Sequence, residues 1–221
     1  MNDGTWERSA AAGGLISVAL FVVAWLIYGP GPQTGDSAEL ILRFFAEHRD
    51  RILWCLLVQG LGALAMVWFM SALVIAMRSA GELLWAVAAG FSFILALSLG
   101  SSATMLRLGV AFVASGDVSA QTVASLFRLG HILDTSQNVI SAGSYLTVAV
   151  VAIRTRFLPA WWGWASLVAT LWALVSTTAW NLSGFWSPNG AGFVNLVFYV
   201  GWIGGTSLLL LMAPRDGGGP A

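Results

Sequence analysis

Charge is what this chain has least of. Asp, Glu, Lys and Arg together make up 9% of its 221 residues, where a soluble domain carries about 25%. Lysine is absent: all ten basic residues are arginine, a usage that fits a GC-rich coding bias. Ten acids balance them, so the formal net charge is zero and no basic face for nucleic acid is expected. Cysteine is almost missing too. Cys55 stands alone, which excludes an internal disulfide. The only histidines, His48 and His131, lack the supporting carboxylate or thiolate cluster that a metal centre needs, so no metal and no cofactor is expected. Met66 and Met70, four apart, read as packing residues rather than copper ligands. No glycine-rich phosphate loop and no nucleophile elbow occurs.

What replaces charge is apolar length. Hydrophobic residues make up 58% of the chain and the mean hydropathy is +0.81. Six stretches, 10–28, 52–77, 83–106, 132–153, 160–180 and 192–212, carry almost no charge. At 1.5 Å per helical residue, about 20 residues cross a hydrocarbon core of about 30 Å. The expectation is an all-α polytopic membrane protein: a bundle of six transmembrane helices forming one domain over 1–221, its first partner the lipid bilayer. Residues 1–9 read as an N-terminal tail. With Asp3 and Glu7 against Arg8 they do not resemble the basic start of a secretory signal, so the first apolar stretch is expected to be retained. The Gly/Pro-rich 214–221 read as a disordered tail.

The connections carry local signals. Gly29-Pro30-Gly31-Pro32 ends the first helix. Over 36–51, Leu40, Ile41, Phe44, Phe45 and His48 share one face, with Glu39, Arg43 and Glu47 four apart on another. This predicts a short amphipathic helix, capped by Asp36, lying at the membrane interface. The alternative is a lid folded onto the bundle. The third helix is expected to overrun the bilayer past Arg107 to Ala114. It turns through Ser115-Gly116-Asp117-Val118-Ser119, and the fourth starts near Ala120 with Asp117 or Ser119 as its cap. Trp161, Trp162 and Trp164 form an interfacial belt behind Pro159. Ala10, Gly13, Gly14 and Ser17 form a small-residue stripe for close helix packing, with dimerisation the less favoured use.

An even number of crossings puts both termini on one side. Arg8, Arg78, Arg154, Arg156 and Arg215 fall there. Arg43, Arg49, Arg51, Arg107 and Arg128 fall on the other, interleaved with five acids. The short loops beside Arg78 and the Arg154/Arg156 pair favour cytoplasmic termini.

The candidate site is a polar stripe on the fourth span. His131, Asp134, Asn138, Ser141 and Tyr145 are spaced 3, 4, 3 and 4 along the sequence and so share one helical face. Such a face turns away from lipid. A symmetric hairpin brings Arg107 and Arg128 level, with His131 and Asp134 close by at the outer edge, and lets Gln59 approach Asn138. One reading is structural, with Arg107 paired to Asp134. The other is an outward pocket in which Arg107 holds an anion and His131, tuned by Asp134, moves a proton.

Two segments carry a resemblance. They are Phe44-Phe45-Ala46-Glu47-His48-Arg49-Asp50-Arg51-Ile52-Leu53 and Arg154-Thr155-Arg156-Phe157-Leu158-Pro159-Ala160-Trp161-Trp162-Gly163-Trp164. In this order, among six spans, they resemble a group of uncharacterised bacterial membrane proteins common in actinobacteria and catalogued as a domain of unknown function. The resemblance implies a bacterial inner membrane and supplies no catalytic residues. Three function classes stay open. The first is a non-enzymatic membrane component, acting through a protein partner or a homo-oligomer. The second is a small-solute transporter or channel. The third is a membrane enzyme acting on a lipid or isoprenoid.

Overall fold

The computed structural model describes residues 3–213. Among them are seven helices and no strand: α1 Asp3–Tyr28, α2 Ala38–Glu47, α3 Arg49–Ser79, α4 Leu83–Val113, α5 Ala120–Thr155, α6 Ala160–Ser176 and α7 Ala191–Met212. Five of them (α1, α3, α4, α5 and α7) are long and apolar enough to cross a membrane. Their lipid-type surface is plain: Trp54, Leu64, Phe91, Met105 and Leu171 are each at least 60% exposed. The chain is a helical membrane protein.

α1, α3, α4, α5, α6 and α7 form a closed ring, each packed on the next and α7 back on α1. The middle of the ring is filled by Met66, Phe69 and Leu73 of α3, Phe93 of α4, Tyr145 of α5 and Trp202 and Ile203 of α7. Missing Cβ atoms set the closest approach. A Cβ on Gly13 would lie 2.6 Å from the Ala65 carbonyl oxygen, and one on Gly14 would lie 2.8 Å from both Phe69 and Ser207. The small-residue stripe of α1 therefore joins α1 to α3 and α7 inside the monomer.

Several boundaries differ from expectation. α1 reaches back to Asp3, so most of the expected 1–9 tail is helix, while 214–221, with Arg215, lies outside the described residues. The apolar stretch 160–180 becomes a helix of only 17 residues, roughly 25 Å long. Its end is loosened by hydroxyls that return to the preceding turn: Ser176 and Thr177 donate to the Ala173 carbonyl and Thr178 to that of Val175. α3 ends at Gly81, left-handed with φ 85°. Arg156, also left-handed with φ 57°, stops α5.

The amphipathic segment is two helices in part. α2 covers Ala38–Glu47, and α3 starts at Arg49 after a break at His48. Ser37 caps α2, accepting from Leu40 N at 3.3 Å. The carboxylate of Asp36, the expected cap, instead accepts from Gln33 N at 2.7 Å. The apolar face of α2 lies on protein: Ile41 and Phe45 are fully buried in a cluster with Ile52, Val110, Val123 and Phe127. α2 thus folds onto α3, α4 and α5, as the lid reading expects.

Candidate functional site

The lid end is organised by the α4–α5 hairpin. Ser119, not Asp117, caps α5 by accepting from Thr122 N at 3.2 Å, and the helices on both sides of the turn start and stop where the sequence predicts. That register sets Gly130 against α4, its absent Cβ 3.6 Å from the Ala103 carbonyl and 3.9 Å from Arg107 Cγ. Asp134, one turn along, then meets Arg107: Arg107 Nη2 and Asp134 Oδ2 form an ion pair, with side chains 16% and 27% exposed. Two opposite charges in a chain so short of charge are held against each other and mostly out of water.

His131 lies one turn from Asp134 but is not bonded to it. Its ring packs edge-on against Phe127 at 4.6 Å. The expected relay, with Asp134 orienting His131, does not form. Arg128 makes contacts of its own. It turns to the α1–α2 loop, where Nε donates to the Thr34 carbonyl at 2.9 Å and Nη2 to that of Asp36 at 3.1 Å. Thr34 Oγ1 in turn donates to the Leu182 carbonyl at 2.9 Å. The loops after α1 and after α6 are thereby tied together at the lid end. Beside this knot lies a cavity of about 320 Å³ bounded by Arg128, His131, Ile132 and Ser136 of α5 and by Trp180 and Leu182 of the α6–α7 loop.

Asn138, one turn beyond Asp134, belongs to a separate network. Its Nδ2 donates to Ser176 Oγ at 3.2 Å, and its Oδ1 accepts from Asn195 Nδ2 at 2.8 Å. One buried amide thus joins α5, α6 and α7. Gln59 of α3 does not take part and makes no hydrogen bond among the described residues, a departure from the expected approach to Asn138. Asn138 is turned to α6 and α7 instead.

The far end of the stripe is closed. Tyr145 is 1% exposed, its ring 4.8 Å from that of Trp202. The space beside Tyr145, Ser141 and Tyr199 is only about 10 Å³, the size of one water. No group of three or more His, Cys, Asp or Glu side chains gathers among the described residues.

No family model, curated protein or solved structure matches the chain.

Thr34, Ser176 and Asn195 are the site residues that sequence reasoning missed, together with the carbonyl partners of Arg128. Asn195 carried a usable signal, since an amide inside an apolar span requires a partner. Ser176 carried a weaker one at the end of its stretch. Nothing local distinguishes Thr34 or the direction taken by Arg128.

Proposed function

We propose that this chain is a non-enzymatic component of a bacterial cytoplasmic membrane, crossing it six times and acting through binding rather than chemistry. One observation carries the reading: two sets of polar groups on the α5 stripe are engaged with other side chains of the bundle. Arg107 holds Asp134, and Asn138 holds Ser176 and Asn195. Neither set is a nucleophile hydrogen-bonded to its base, the arrangement that nucleophilic catalysis uses. A solute pathway is disfavoured by the closure at Tyr145 and Trp202.

Six crossings are supported by the knot at the lid end. The loops that follow α1 and α6 meet at the Thr34–Leu182 bond, and the first half of α1 meets the last turns of α7, where Ser207 Oγ donates to the Ala11 carbonyl at 2.5 Å. With Trp162 Nε1 donating to Thr206 Oγ1 near the end of α7 at 2.9 Å, these contacts support α6 as a sixth crossing beside its longer neighbours. Its tryptophans at one end and Trp180 beyond the other fit two interfaces. The short arginine-bearing links at the α3–α4 and α5–α6 turns favour a cytoplasmic position for that end and for both termini. Likeness of the 44–53 and 154–164 segments to uncharacterised actinobacterial membrane proteins supports the bacterial assignment.

The test is a strain lacking the chain, complemented with Arg107→Met/Asp134→Leu. A non-catalytic role keeps the complementation given by the unaltered chain, at equal membrane abundance. Loss of complementation at equal abundance assigns the pair a chemical role. Protein-dependent solute flux in proteoliposomes would favour the transporter reading instead.

A further inference from the structure

The cavity at the lid end has the composition of a site. Its walls are mostly carbon: Ile132, Trp180 and Leu182 line it and are 54%, 67% and 56% exposed. Such side chains suit an acyl chain better than a polar solute. The cavity volume of about 320 Å³ sits at the small end of ligand pockets, roughly 300–1,000 Å³. That is room for part of one chain and not for a two-chain lipid.

The polar end of the cavity is positive. Arg128 binds two backbone carbonyls, at 2.9 and 3.1 Å, and has no ion-pair partner among the described residues. Those carbonyls fix its position without neutralising it. The nearest acid on the same loop, Asp36, turns its carboxylate to Gln33 N. His131, one turn along α5 from Arg128, shares this end, and no carboxylate lines the cavity. The ring of His131 makes no hydrogen bond among the described residues. A fixed cation and an imidazole whose ring makes no hydrogen bond together suit a head group that accepts hydrogen bonds and carries negative charge.

We infer that this cavity binds a single-chain amphiphile with an acidic head, its chain entering between Ile132, Trp180 and Leu182 and its head meeting Arg128 and His131. Two sources share that chemistry: a free long-chain carboxylate and a lysophospholipid with an exposed phosphate. The site is independent of the non-enzymatic reading, because neither Arg107 nor Asp134 lines it.

The test uses the full chain purified in a neutral detergent, with tritiated hexadecanoate as the probe. Saturable binding is expected, displaced by unlabelled hexadecanoate or lysophosphatidate. Whichever displaces better identifies the source. The equally long hexadecyltrimethylammonium should compete at least about ten-fold less well, a difference of 1.4 kcal/mol. Ser136→Trp, which fills the cavity, should lower affinity by about ten-fold or more, with an unchanged melting temperature as its folding control. Arg128→Gln should narrow the gap between the carboxylate and the ammonium competitor. The proposal is overturned by a lack of saturable binding, or by the ammonium competing equally on the unaltered chain, a comparison that depends on no variant. Binding undiminished in a folded Ser136→Trp protein overturns it as well.

Discussion

Removing one member of the Arg107–Asp134 pair should cost far more than removing both. With side chains 16% and 27% exposed, the two charges stand close to the buried limit. Breaking a buried pair typically costs about 3–5 kcal/mol, because the survivor is left without a partner away from water, while exposed pairs contribute about 0–1 kcal/mol. Scaled for the residual exposure, Arg107→Met or Asp134→Leu alone should destabilise the bundle by about 2–3 kcal/mol. At roughly 2–4 °C per kcal/mol for a chain of this size, the melting temperature falls by about 4–12 °C. The double replacement restores an apolar contact of similar volume and should return to within about 1 kcal/mol of the unaltered protein. Ser141→Ala is the control: Ser141 is buried on the same stripe and makes no hydrogen bond among the described residues, so its loss should cost under about 1 kcal/mol. Unfolding in mixed micelles, followed by circular dichroism for all four proteins, gives the cycle. Equal melting of Asp134→Leu and Ser141→Ala, or a double variant as unstable as the two singles added, would refute the pairing argument.

Two further predictions rest on packing and on the amide network. Gly13→Ala puts a Cβ 2.6 Å from the Ala65 carbonyl oxygen and should destabilise the α1–α3 contact by about 1–3 kcal/mol. Gly60→Ala meets nothing within 4 Å and should be neutral or stabilise by up to about 1 kcal/mol, the helix-propensity difference, in the same melts. Asn138→Ala removes hydrogen bonds to both Ser176 and Asn195 and leaves the Asn195 side-chain amide buried, so a loss of about 1–3 kcal/mol is expected. Adding Asn195→Leu should recover part of that loss; no recovery would mean that the two amides are not coupled.

The α4–α5 hairpin was the most legible part of the fold. Its turn is built from local signals, a glycine, an aspartate and the Ser119 cap, and its register follows from counting outward, which is why the Arg107–Asp134 contact could be anticipated. Contacts between helices distant in sequence were not legible in the same way. Asn138 announces that it needs a partner but not that Ser176 and Asn195 supply it, because the ring order is a property of the whole bundle. The amphipathic pattern of 36–51 specified an apolar face without saying whether lipid or protein would cover it; Val110, Val123 and Phe127 do. The early end of α6 was hidden for a related reason. Ser176, Thr177 and Thr178 look neutral in a hydropathy count, yet their hydroxyls compete for the carbonyls that would continue the helix. The cavity beside His131 had no sequence signature, since it depends on Arg128 pulling the α1–α2 loop across to meet Leu182.

Sidedness of the loops tests the central claim most directly. In a Cys55→Ser background, single cysteines at Ala80, Ser115 and Ser183 are labelled in sealed vesicles with a maleimide that cannot cross the bilayer. Ser115 and Ser183 should react from one face and Ala80 only from the other, with α6 completing the sixth crossing. Ser183 labelled together with Ala80 would contradict six crossings, and all three reacting alike from either side would contradict a chain embedded in the membrane.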